Sequence, residues 1–132
     1  MPKIIIRDGT GPNEGNCLSF DLAQVLSALG PRAISSYWSY RDLWFVSHDD
    51  QEVPELEQDS EATRLLSGHD LMAATDRVLQ VIDGEFAAFD DDQNKPWVIV
   101  RAVDSSFWEV ESSDANVVAA VRECFRSAED NP

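Results

Sequence analysis

Three apolar segments in close succession constrain this chain more than any other feature: 85–89 (Glu-Phe-Ala-Ala-Phe), 97–103 (Trp-Val-Ile-Val-Arg-Ala-Val) and 107–111 (Phe-Trp-Glu-Val-Glu). They are rich in β-branched and aromatic residues, which suit a pleated, half-buried surface. The connections, 90–96 and 104–106, are too short for the crossover that parallel strands need. The three segments therefore predict an antiparallel meander, with Asp104-Ser105-Ser106 as a tight turn. Segment 97–103 is apolar on both faces apart from Arg101, which suits a central strand.

The remaining elements follow from periodicity and punctuation. Residues 3–7 read as a short buried strand. Residues 8–16 are a loop rich in Gly, Pro and Asn. A helix over 18–29 carries Leu18, Leu22, Val25, Leu26 and Leu29 at helical spacing, and Gly30-Pro31 stops it. Leu43 to Val46 is a strand. Ser67-Gly-His-Asp70 resembles a capping box and opens a helix over 69–82. Its inner stripe is Leu71, Met72, Thr75, Val78, Leu79 and Ile82, and Asp83-Gly84 ends it. Ser113 caps a last helix, 114–126, with Val117, Val118, Val121, Cys124 and Phe125 on its inner face. The order β-α-β-α-β-β-β-α predicts an α+β fold: a mainly antiparallel sheet of four to five strands with about three helices packed on it. With 132 residues, the whole chain, 1–132, reads as one acidic domain with one core.

Charge narrows the function classes. Asp and Glu number 25 against 10 Lys and Arg, a net charge of −15. Nucleic-acid binding needs clustered cations on phosphates, and this chain has no such cluster. Anionic membranes are repelled in the same way, and no segment approaches the roughly 20 apolar residues of a membrane span. The apolar run at 4–6 is too short for a signal peptide, so a cytoplasmic location is expected. Cys17 and Cys124 are too few for a disulfide framework or a zinc site and read as small core residues. A basic protein partner, or a metal, is compatible with the charge, as is a role in solubility alone.

Motifs for chemistry break down on inspection. The glycines of 9–15 lack the Lys of a P-loop, and Glu14 opposes a phosphate. Asp90, Asp92 and Asn94 match the first ligands of a calcium loop, but Lys95 stands where the turn glycine belongs. His48-Asp49 and His69-Asp70 lack a third histidine for a metal centre. Ser19, Ser105 and Ser106 lack a nucleophile elbow. No cofactor, metal or catalytic residue is assigned. An enzymatic alternative rests on Asp83, Glu85, Asp104 and Glu109, strand-end carboxylates that can converge for acid–base work.

Two neighbouring features point to protein binding. One is the aromatic cluster Tyr37, Trp38, Tyr40, Trp44 and Phe45. The other is 48–61, with seven acids and no Lys or Arg. Buried aromatics anchor interfaces, and acidic rims accelerate association with basic partners. Tyr37, Trp38, Tyr40, Asp49, Asp50, Glu52 and Glu55 are accordingly the candidate partner-binding residues, with 48–61 read as a solvated loop. A homodimer formed over an unpaired edge strand is a further alternative.

The stretch Gln80–Phe89 followed by Pro96–Val110 resembles a cassette that recurs in small acidic bacterial proteins. In size, charge and architecture the chain is also similar to the immunity proteins that neutralise bacterial toxins. That resemblance implies a cytoplasmic protein masking a cationic toxin domain, and it carries over no catalytic residue.

Overall fold

A computed structural model describes residues 2–7, 20–54, 56, 65–90, 95–104, 106–125 and 128–130. The glycine-bearing loop 8–16, Cys17, Ser19, Ser105 and the acids Asp91 and Asp92 lie outside these residues. In chain order the elements are β1 (Lys3–Ile6), α1 (Leu22–Leu29), α2 (Pro31–Ser35), β2 (Tyr37–Ser47), a 3-10 turn (His48–Asp50), β3 (Leu66–Ser67), α3 (Gly68–Thr75), β4 (Val78–Phe89), β5 (Val98–Val103), β6 (Phe107–Glu111), α4 (Ala115–Cys124) and β7 (Glu129–Asp130).

The class is α+β, as the pattern predicts, and every strand pairing is antiparallel. The sheet runs β3-β2-β4-β5-β6-β1-β7. It thus has seven strands among the described residues rather than four to five. The two extra strands, β3 and β7, are two-residue edge pieces, too short to carry a periodic signal. The expected meander is β4-β5-β6, and β5 with its Arg101 occupies the middle of the order. The fourth helix, α2, arises where the sequence suggested only a stop. Gly30 (φ 82°) ends α1, and Pro31 then supplies the first residue of α2, a position where its missing N–H costs nothing.

One face of the sheet is buried under the helices. Register places Ile4 and Ile6 beside Val110 and Trp108, these beside Val100 and Ala102, then Phe86, then Tyr40. All but the partly buried Tyr40 are core residues, packed with Leu22, Val25 and Leu26 of α1, Leu71 of α3, and Val117 and Val121 of α4. Phe20 stacks on Phe125 at 4.9 Å and sits 6.5 Å from Trp108. Asp114, not Ser113, caps α4: its carboxylate accepts the Asn116 N–H at 2.8 Å. Cys124 is exposed rather than core, and Phe125 closes that end instead.

The largest departure concerns 69–82. The Ser67 hydroxyl does accept the Asp70 N–H (3.0 Å) and opens a helix, but α3 ends at Thr75, and Val78–Phe89 is one twelve-residue strand containing Gly84. The register of β2 on β4 shifts between Arg41 and Trp44, between Trp44 and Phe45, and between Val46 and Ser47. Each shift is a β-bulge or irregularity that leaves residues unpaired. In the bulged first half of β4 the buried positions are therefore Val78, Val81 and Gly84, before Phe86 and Ala88 resume the ordinary alternation. A spacing of three is what a helix would also show, so these bulges imitate a helical stripe in the sequence.

Gly68 fixes how α3 meets α2. Its N–H donates to Ser36 O at 2.8 Å, and a Cβ there would lie 1.9 Å from Ala33 O and 2.6 Å from Ile34 O. Backbone carbonyls cannot rotate away as a side chain can. Gly68→Ala should therefore cost about 3 kcal/mol of stability through overpacking, read as a lowered urea midpoint with an unchanged slope. A midpoint within error of the wild type would show that the helices can separate freely.

Candidate functional site

The bulges decide what the helix-free face of the sheet presents. Between the inward residues Val78, Val81 and Gly84, two residues at a time turn outward: Leu79 with Gln80, and Ile82 with Asp83. On β2, Leu43 and Phe45 pack on the core while Trp44 and Val46 point away from it. Trp44 lies opposite Asp83, and Val46 opposite Gln80. The result is an apolar patch of Trp44 (61% exposed), Leu79 (56%) and Val46 (41%), with Ile82 half-buried beside them. Asp83 lies across the strand and Asp42 two residues earlier; the exposed Asp49 and Glu52 follow in the chain just beyond β2, where Arg77 donates to the Glu52 carbonyl at 3.3 Å. Asp42 and Asp49 both hold positive φ (53° and 47°), a conformation Asp tolerates better than most residues.

The sequence-predicted binding residues are spread over different environments. Tyr37 is exposed (43%) but sits at the far end of β2, seven residues and about 20 Å from Trp44. Trp38 is fully buried, its indole Nε1 donating to Ala33 O at 2.8 Å, so it offers no surface to a partner. Tyr40 is partly buried with its ring against Phe86 (6.3 Å). Asp49 and Glu52 are exposed. Glu55 and the Asp50 side chain lie outside the described residues. The acidic segment is also less solvated than its composition implies, because Val53 and Leu56 are core residues. Trp44 belongs to the aromatic cluster read from the sequence, but neither it nor Val46 nor Leu79 is among the candidate partner-binding residues. Leu79 in particular reads as an inner helical residue until the bulges are known.

Asp21 holds the bulged part of β4 in place. Strand β5 pairs with β4 only over Gly84–Ala88. The Val81 N–H is taken instead by both carboxylate oxygens of Asp21, at 3.1 and 3.2 Å. Asp21 also caps α1, its own N–H donating to the Gln24 side chain at 2.8 Å. Burial raises its pKa from 3.8 to about 6, against the opposing hydrogen bonds from Val81 and Leu22.

The strand-end carboxylates partly converge. Glu85 and Glu109 meet at Arg101, with Glu111 as a third partner; the closest distances are 3.6, 2.7 and 2.8 Å respectively. Arg41 extends the chain of charges to Glu85 at 2.8 Å. Asp83 and Asp104 meet elsewhere, where the Asp104 N–H donates to Asp83 Oδ1 at 2.8 Å. With a guanidinium at its centre, the cluster ties β4, β5 and β6 together across the register.

A cleft of about 490 Å³ is lined by Arg32, Lys95, Pro96, Trp97, Ile99, Ser113 and Asp114. Arg32 occupies one wall. It stacks over Trp97 at 4.3 Å, donates to Asp90 at 2.6 Å and to Asp114 at 3.2 Å. Asp90, the first residue of the calcium-like stretch, is thereby engaged by a cation of the chain itself. Below it Trp97 Nε1 donates to Ser36 Oγ and Ser112 Oγ donates to Trp97 O. His69 and Asp70 are 3.8 Å apart on the surface. Among the described residues no three His, Cys, Asp or Glu side chains form a metal-binding group, and no helix is long and apolar enough to cross a membrane.

Two outcomes follow. Removing the central cation in Arg101→Met takes away the shared partner of three mostly buried carboxylates, of which Glu85 keeps Arg41, and should cost about 3 kcal/mol in chemical denaturation at pH 7. For Asp21, the folded pKa lies above the unfolded one. The protonated carboxyl therefore stabilises the fold fully below pH 3.8, and that stability is lost as pH rises through about 6. The difference is about 3 kcal/mol. Asp21→Asn keeps an acceptor for Val81 without the charge, so it should raise stability at pH 7 and flatten the stability–pH curve between 4 and 6. An unchanged slope would mean that the carboxyl is not shielded.

A search of protein families, curated proteins and solved structures gives no match to this chain.

Proposed function

We propose that this chain is an acidic protein-binding module, of the immunity or antitoxin type, that masks a basic partner through the Trp44–Val46–Leu79 patch. The observation that carries the reading is the exposure of Trp44, at 61%, within an apolar patch that has Asp83 across the strand and Asp42 two residues earlier, with Asp49 and Glu52 following just beyond β2. Apolar patches rimmed by polar groups mark interaction sites, and Trp is the residue most enriched among interface anchors. The charge of −15 selects for a basic partner and speeds encounter with it. Five of the ten cations, Arg7, Arg32, Arg41, Arg101 and Arg122, each meet a carboxylate within the chain, which lessens their opposition to a basic partner.

A second copy of the chain is a poorer occupant. It would bring another −15 to the same surface, and the irregularity at Asp42 interrupts the outer edge of β2, one of the ways sheets avoid edge pairing. Among the described residues that edge is covered by β3 only at Tyr37 and Trp38.

The test is capture from the native cell followed by binding kinetics on the purified partner. Wild type should retain one basic protein. Trp44→Ala should accelerate dissociation, weakening binding by about 2 kcal/mol. Asp49→Lys with Glu52→Lys should instead slow association about tenfold at low salt while leaving stability unchanged. Recovery of no basic protein, or a partner indifferent to Trp44→Ala, would overturn the reading.

A further inference from the structure

Trp44 and Asp83 stand opposite each other across β2 and β4, which brings their Cβ atoms to about 5 Å. The Asp104 N–H holds Asp83 by Oδ1 at 2.8 Å, which fixes the carboxylate and leaves Oδ2 for another donor. Arg41 and Arg101 are both bound to Glu85, and Arg77 donates to the Glu52 carbonyl. Among the described residues no cation lies over the Trp44 ring or pairs with Asp83.

Elsewhere the chain shows what an aromatic ring beside a carboxylate holds. Arg32 lies over Trp97 at 4.3 Å and is gripped by Asp90 and Asp114. Arg7 lies over Phe107 at 5.3 Å and faces Glu129 at 3.6 Å. In both cases the cation is an arginine. A guanidinium can stack flat on a ring and donate in its plane to a carboxylate at the same time, which an ammonium cannot do.

We infer that Trp44 and Asp83 form a receptor for an arginine side chain of the basic partner, with the guanidinium on the indole face and its N–H groups directed at Asp83 Oδ2. This rests on the partner-binding reading of the patch and names the group recognised there. Val46 and Leu79 pack the apolar stem of that arginine, and Asp42 adds to the negative field.

The receptor can be probed without the partner. The four tryptophans give four indole N–H signals by NMR, and Trp44→Phe identifies that of Trp44. N-acetyl-arginine amide at millimolar concentration should shift the Trp44 signal saturably. It should leave the signals of Trp38, Trp97 and Trp108 unchanged, since those three are buried. The citrulline analogue, which keeps the shape without the charge, should bind at least about tenfold more weakly, and the lysine analogue should also be weaker. Asp83→Asn should weaken the arginine probe about fivefold. Equal shifts from arginine and citrulline, indifference to Asp83→Asn, or no shift at all would each overturn the inference. Its failure is separable from that of the proposed function. If capture of a basic partner depends on Trp44 but not on Asp83, the patch is an interface and the arginine receptor is wrong. If the probe binds but the partner ignores both residues, the receptor stands and the interface lies elsewhere.

Discussion

The bond from the Val81 N–H to the Asp21 carboxylate is the contact on which the arrangement of this surface depends. A strand of twelve residues would ordinarily alternate, with every second side chain inward. Here the β2–β4 register slips, and Val81 turns its N–H to a carboxylate at the start of α1 rather than to a neighbouring strand. That carboxylate is mostly shielded from water and its pKa is raised, so at neutral pH the fold keeps a charge in a place that disfavours it. The compensation is positional. Val78, Val81 and Gly84 face the helices, and Leu79, Gln80, Ile82 and Asp83 face outward together. Without the slips, half of those outward residues would turn into the core and the patch beside Trp44 would be smaller.

Electrostatics divides the molecule in the same way. Cations are scarce, and the structure places them at joints. Arg101 joins the central strands, Arg32 joins α2 to the end of β4 and the start of α4, and Arg122 meets Asp130 near the last strand. These contacts are internal, so the surplus of acids falls on the surface. Asp42 and Asp83 lie beside exposed apolar side chains, and Asp49 and Glu52 follow in the chain just beyond β2. That combination is suited to a partner that is basic and also offers apolar contact, because the charge governs encounter and the buried apolar area governs residence.

Much of the fold was legible in the sequence, for reasons that are local. The meander of β4, β5 and β6 followed from short connections, and the central place of β5 from its apolar faces. The Ser67 cap and the helical stripe at Val117 and Val121 depend only on neighbouring residues. What escaped depends on contacts distant in sequence. The slips in β4 are set partly by Asp21, sixty residues away, and they give Val78 and Val81 a helix-like spacing that made 69–82 read as one helix. The same error hid Leu79. The candidate site was legible only in outline. An aromatic cluster beside an acidic stretch was visible, but which aromatic faces solvent is a matter of strand parity and of where the irregularity at Asp42 falls. Parity puts Trp38 inside and Trp44 outside, although the two are six residues apart, because the irregularity at 42–43 leaves the second half of β2 with its own alternation.

The claim that Trp44 alone among the tryptophans is presented to a partner is most directly tested by acrylamide quenching of tryptophan fluorescence, on the free chain and on its complex with a captured basic protein that itself lacks tryptophan or carries it replaced. The account predicts one readily quenched population in the free chain, assigned by its loss in Trp44→Phe, and its disappearance in the complex. Ready quenching of several tryptophans in the free chain, or a Trp44 that stays equally accessible when the partner is bound, would contradict it.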